Sequence, residues 1–178
     1  MNAHAMPSAV PIASAINTRL PGAYYFDCYA IAVPNTSLTA LGQFIAAVAN
    51  TPWWVNRLMA LRNKVVLLVG LKDIGALGGL DHSKQVSAYV VGDRVGIFTL
   101  LSNTDDEALL GISDKHLDVQ LSVFRHSLDS NSVRRISVTT VVHVHNLLGR
   151  LYMLPVAPLH RLVAPAVLNR ILIEPNAA

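Results

Sequence analysis

Apolar positions along the chain repeat with one of two periods, and each change of period marks a new element. From Tyr24 to Val33, aromatic and β-branched residues crowd together and stop at Pro34-Asn35, the pattern of a first strand. Behind Ser37, a helix-capping residue type, Leu38, Leu41, Ile45 and Val48 recur at helical spacing. That helix should end before Pro52, whose missing N–H suits the first turn of a second helix. Trp54, Leu58, Leu61, Val65 and Leu68 carry the second helix from Trp53 to Leu71, giving a pair joined at Asn50-Thr51-Pro52. Gly70 and the cluster from Gly75 to Gly79 then break the pattern.

From about Val86 the period becomes that of strands. Val86 to Val91 and Arg94 to Ser102 predict a hairpin turning at Gly92-Asp93, followed by a short strand from Glu107 to Ile112. A longer strand covers His116 to Phe124, and a last one runs from Val133 to His145. In the longer strand Leu117, Val119, Leu121 and Val123 share one face, while His116, Asp118, Gln120 and Ser122 share the other. Helical spacing returns between Leu147 and Ile173, with Pro158 suited to a first turn and Pro165 to a kink. A strand, a helix pair, an antiparallel meander and a long terminal helix form the order of an α+β helix-grip domain. In that fold a curved antiparallel sheet wraps around the C-terminal helix and encloses a cavity. Residues 1–23, with Pro7, Pro11 and Pro21, read as a flexible lead-in, and residues 24–174 as a single domain.

Composition sharpens this picture in one respect. Apolar residues make up 52% of the 178 positions and charged residues 14%, against roughly 25% charge in ordinary globular domains. A cavity, a subunit interface or contact with a membrane surface would each use that excess, as would a generous core. The formal charge of +3 comes from dispersed Lys and Arg with no run of three, so a nucleic-acid stripe is not expected. Cys28 is the only cysteine, which excludes an intrachain disulfide. Neither a secretory signal nor a transmembrane segment is expected, because the apolar runs are short or interrupted by Pro155, Pro158 and Pro165. The glycines lack the spacing and the Lys-Ser/Thr pair of a nucleotide loop, so no cofactor is expected. The cytoplasm is the expected location and a homodimer is compatible with the apolar excess.

His143 and His145 are the sharpest local feature. Two residues apart in a strand, they share one face, where His116 or Asp118 from a neighbouring strand would complete a metal-binding set. The plainer reading places them on a satisfied sheet face with no metal. Asp118 is suited either to orienting a histidine or to facing water. Asn56 is unexpected within a helix and suits a cavity mouth, while Tyr152 and Met153 are placed to project from the terminal helix into a cavity. No Ser-His-Asp set and no nucleophile elbow is legible.

The stretches Asn56-Arg-Leu-Met-Ala-Leu-Arg-Asn63, Gly92-Asp-Arg-Val-Gly-Ile-Phe-Thr99, Lys115-His-Leu-Asp118 and Gly149-Arg-Leu-Tyr-Met-Leu-Pro-Val-Ala-Pro-Leu-His-Arg161 resemble those of the DUF2867 family. The similarity runs from about Asp27 to Arg170. It implies a relationship to the START-like or Bet v 1-like superfamily, but it transfers no catalytic residue, and fold analogy leaves function open. The expected activity is binding of an apolar or lipid-like small molecule in an internal cavity, with Asn56, Asp118, His143, His145, Tyr152 and Met153 as ligand-binding candidates. The alternatives are a cyclase- or isomerase-type enzyme using His143, His145 or Asp118 as acid or base, and an interaction protein with a filled interior.

Overall fold

The computed structural model describes residues 4–34, 37–68, 79–80 and 84–172. Seven strands form one antiparallel sheet: β1 (Met6–Pro7), β2 (Tyr25–Pro34), β3 (Arg94–Val95), β4 (Phe98–Asn103), β5 (Glu107–Ser113), β6 (Leu117–Leu128) and β7 (Val133–Val144). Their spatial order is β1-β2-β7-β6-β5-β4-β3, so the sheet is open, with β1 and β3 at its edges. Helices α1 (Ala40–Ala49) and α2 (Trp53–Leu68) follow β2, and α3 (Leu147–Leu168) follows β7. The curved sheet packs against this long C-terminal helix, which is the helix-grip arrangement.

Alternation decides which side is covered. Leu117, Val119, Leu121 and Val123 of β6 share their face with Val138, Thr140 and Val142 of β7, and α1 and α3 pack over that face. Leu41, Phe44 and Val48 on α1 meet Leu110, Val123 and Ile136 in the main core. Thr39 caps α1, its hydroxyl accepting the Gly42 N–H at 3.1 Å, so the cap lies two residues beyond the expected Ser37. The helix pair joins as predicted, with the Val55 N–H donating to the Pro52 carbonyl at 3.0 Å. The glycines from Gly70 to Gly78 lie outside the described residues.

The first hairpin differs from expectation. Residues Val86–Ala88 make a short 3₁₀ turn rather than a strand, and β3 and β4 turn at Gly96-Ile97 instead of Gly92-Asp93. The Asp93 carboxylate explains the shift: it accepts the Val90 N–H and the Lys84 ammonium, each at 2.7 Å, and closes its own turn. Gly96, at φ 61°, supplies the positive φ that a tight two-residue hairpin loop needs.

Residues 4–23 carry structure where the sequence predicts a flexible lead-in. β1 pairs with β2, and a 3₁₀ turn at Ala15–Arg19 packs across β6 and β7 on the face opposite the helices. Ile16 is completely buried there. Glu107 clamps the segment, its carboxylate accepting from the Ser14 hydroxyl, the Ala15 N–H at 3.0 Å and the Ser122 hydroxyl at 2.6 Å. Replacing Glu107 with alanine strands these donors and is expected to cost about 2 kcal/mol. Hydrogen exchange should show the amides of Ala15 to Arg19 losing protection first; unchanged protection would mean that burial of Ile16 alone holds the segment.

One titrating group on this side gives a pH prediction. Burial beside Phe124 and, secondarily, the Arg135 charge hold the His126 imidazole below its ordinary value, with Nε2 2.7 Å from the Ser137 hydroxyl. The unfolded chain therefore binds this proton more readily than the folded one. The contribution is fully present above the unfolded pKa of about 6.5 and is lost as the pH falls through the lower folded value. The denaturation midpoint should fall with acidification, and less so in His126→Gln; an identical fall in the variant would assign the loss to other groups.

Candidate functional site

Helix α3 does not pack flush on the sheet. A cavity of about 250 Å³ lies between them, walled by Val119, Leu121, Val138 and Val142 from the sheet and Val156, Val163 and Val167 from α3. Phe44 and Val48 of α1 and Met59 of α2 close one side. The lining is overwhelmingly apolar, and apart from Asp114 and Thr140 its few polar residues belong to two clusters.

The first cluster is built from the two ends of the chain. Tyr25 and Asp27 share the inward face of β2, and His160 stands on the inner side of α3. The Tyr25 hydroxyl donates to Asp27 Oδ2 at 2.6 Å, and His160 Nδ1 lies 2.8 Å from the same oxygen. The Tyr25 and His160 rings also meet edge to face, 6.0 Å between centroids. Burial first, then the hydrogen bond to Asp27 and that residue's charge, push the Tyr25 phenol far above its usual range, while the Arg161 guanidinium pulls it back somewhat. Tyr25 therefore stays a neutral donor. A carboxylate at Nδ1 directs the imidazole proton to that nitrogen, leaving Nε2 as the acceptor or base. Asp27 Oδ1 is buried without a partner among the described residues.

The second cluster is Arg62 of α2 with Tyr152 of α3. Arg62 Nε donates to the Tyr152 hydroxyl at 3.1 Å, and the guanidinium lies 5.5 Å from the centre of that ring. Both side chains line the cavity. Tyr152 and His160 are eight residues apart on α3, so the clusters are separated by about 12 Å along the helix axis.

The expected site residues divide between the two sides of the sheet. Tyr152 and Met153 line the cavity, Met153 being almost wholly buried. Asp118, His143 and His145 lie on the opposite face, in a polar cleft shared with Arg19, Tyr24 and Arg150. There His145 Nε2 is 3.1 Å from Asp118 Oδ2, and His143 Nε2 is 2.8 Å from the Arg19 carbonyl. The physical cause is the pleat: once Val119 and Val142 face inward, their neighbours must face out. Asn56 is exposed on α2 and does not line the cavity. His116 turns toward Asn146 instead of joining the other two histidines. Among the described residues, no group of three or more His, Cys, Asp or Glu is arranged to hold a metal ion.

The Asp27–His160 pair escaped the sequence reading because its members are 133 residues apart. A signal existed in Asp27 itself, an acid placed in step with Tyr25, Tyr29 and Ile31 on the buried face of a strand.

The family model for DUF2867, described as a protein of unknown function, matches residues 19–167, which includes every wall of this cavity except its last turn. The chain belongs to the DUF2867 family. No curated protein and no solved structure matches it. Within the matched region of this DUF2867 protein lie both polar clusters, from Tyr25 and Asp27 to Arg62, Tyr152 and His160.

Proposed function

We propose that this protein binds an apolar small molecule between its sheet and α3, with a hydroxyl group of the ligand donating to His160 Nε2 or to the Tyr25 oxygen, both oriented by Asp27. The cavity carries the reading. An apolar cavity of about 150 Å³ is large enough to take up benzene, and the cavity here is about 250 Å³ with almost no polar surface. That is slightly below the roughly 300 Å³ at which small-molecule pockets ordinarily begin, so the ligand is a compact molecule of a few rings or a short chain rather than a two-chain lipid. Tyr152 and Met153 are ligand contacts in this reading. A sheet gripping its terminal helix supports kinship with the START-like or Bet v 1-like superfamily, which is part of the same proposal.

Titration with N-phenyl-1-naphthylamine, a neutral apolar fluorophore, tests the reading. One saturable site with enhanced emission is expected, displaced by aliphatic alcohols. Emission that rises without saturation would contradict an internal site.

The Asp27–His160 pair favours a second reading, acid–base catalysis on the bound molecule. His160 Nε2 would remove a proton next to a carbonyl, the Asp27 carboxylate at Nδ1 stabilising the imidazolium that forms, and the imidazolium would return a solvent proton to the same carbon. Deuterium incorporation from D2O into 2-octanone, present with the native protein and absent with His160→Gln, is the expected result of that chemistry. Binding without exchange would leave the cavity a carrier site.

A further inference from the structure

The side of α3 turned away from the sheet is as apolar as a core, yet nothing among the described residues covers it. Leu147, Leu151, Leu154 and Leu162 are 70%, 54%, 66% and 63% exposed. At 100° per residue these four fall within one narrow stripe, with Pro158 among them. None of the four lines the cavity, so ligand binding does not account for them. Arg150 and Arg161, both exposed, stand three turns apart along one border of the stripe, Arg150 also bordering the polar cleft and Arg161 also reaching Tyr25. On α2 the exposed positions Trp53, Arg57, Leu61 and Lys64 repeat the combination, with the Arg57 guanidinium 4.8 Å from the centre of the Trp53 indole.

Charge identifies the occupant. From Ser37 to Leu68 and from Asn146 to Leu172 there is no Asp or Glu; all eleven acidic residues lie elsewhere in the chain. We propose that the outward faces of α3 and α2 dock on an anionic lipid bilayer, with the leucines and Trp53 entering the acyl boundary and the arginines and lysine meeting lipid phosphates. A helix with leucine and tryptophan on one side and cations beside them is built for that interface. A second copy of the chain is disfavoured, because pairing these faces would set the same cations against one another with no Asp or Glu on either helix to balance them.

The bilayer is met at its surface rather than crossed. The stretch Leu147–Ile171 is long and apolar enough to span a membrane by length and composition, and only 11% of its most apolar window is buried. Its inner side nevertheless packs on β2 and β7. Pro155, Pro158 and Pro165 also leave the carbonyls of Leu151, Leu154 and Arg161 without helical donors. Those carbonyls need water, which the headgroup layer supplies and the hydrocarbon core does not.

Co-sedimentation of the full chain with phosphatidylcholine vesicles, with and without phosphatidylglycerol, tests the proposal. Binding is expected only with phosphatidylglycerol and should weaken as salt is added. The double variant Leu154→Glu/Leu162→Glu should bind about a hundredfold more weakly, since each buried leucine contributes roughly tenfold or more. It should retain uptake of N-phenyl-1-naphthylamine, which separates this surface from the cavity. As a measurement needing no variant, brominated acyl chains should quench tryptophan emission. Equal binding to neutral vesicles, undiminished binding of the double variant, absence of quenching, or a solution dimer broken by Leu154→Glu would each overturn the proposal.

Discussion

Gly149→Ala should destabilise the protein by at least about 2 kcal/mol, although alanine is the better helix former by about 1 kcal/mol. Gly149 lies in the first turn of α3, where its N–H is held by the Asn146 capping oxygen at 3.1 Å. A Cβ built there runs into the His116 backbone carbonyl oxygen and comes within 2.9 Å of Val144 Cγ1. Neither neighbour is free to withdraw. The His116 carbonyl accepts the His145 N–H at 2.9 Å and so fixes the corner between β7 and α3, while Val144 is the last residue of β7. Relief requires α3 to lift from the sheet, which disturbs Leu117, Val142 and Met153 packed beside it. Urea unfolding should show a lower midpoint with an unchanged slope. Stabilisation by alanine would mean that the helix does not approach the strand end this closely.

Val119→Trp should abolish uptake of an apolar probe while leaving the protein folded. Val119 is on the sheet wall of the cavity and only partly buried, so a larger side chain has space to enter. Filling that space removes the volume in which a ligand sits and supplies its apolar contacts from within. A loss of affinity of about a hundredfold is expected, since even a partly excluded ligand forfeits several buried methylene groups at roughly 0.8 kcal/mol each. Val163→Trp, on the opposing helix wall, should do the same. Thermal stability should hold or rise, because the cavity is replaced by packed atoms. A Val119→Trp protein that binds the probe normally would place the binding site elsewhere.

The meander and both helical regions were legible in the sequence because their periods are long and unbroken. Alternation from Leu117 to Val123 places β6 on the sheet, and the apolar stripe of α3 survives three prolines. The prolines are tolerated because Pro155 and Pro158 are exposed, where the carbonyls they orphan meet solvent. The short segments were not legible. Ile16 stands in a short 3₁₀ turn among apolar residues with no regular spacing, so no periodicity announces that it plugs the outer face of the sheet. The first hairpin was placed at the wrong glycine because Gly92-Asp93 carries the commoner turn signature, while Asp93 spends its carboxylate on Lys84 and Val90. At the site, Tyr152 and Met153 follow from helical spacing, whereas Asp27 and His160 are joined only by tertiary folding. His143, His145 and Asp118 drew attention as a local motif, yet the pleat that makes them neighbours also turns them away from the cavity.

Methyl NMR of the full chain during titration with 1-octanol tests the internal site most directly. The account predicts saturable shifts at the methyl groups of Val119, Leu121, Val138 and Val163, which line the cavity, with little change at the exposed Leu154 and Leu162. Shifts confined to those outer leucines, or cavity methyls that never respond, would contradict it.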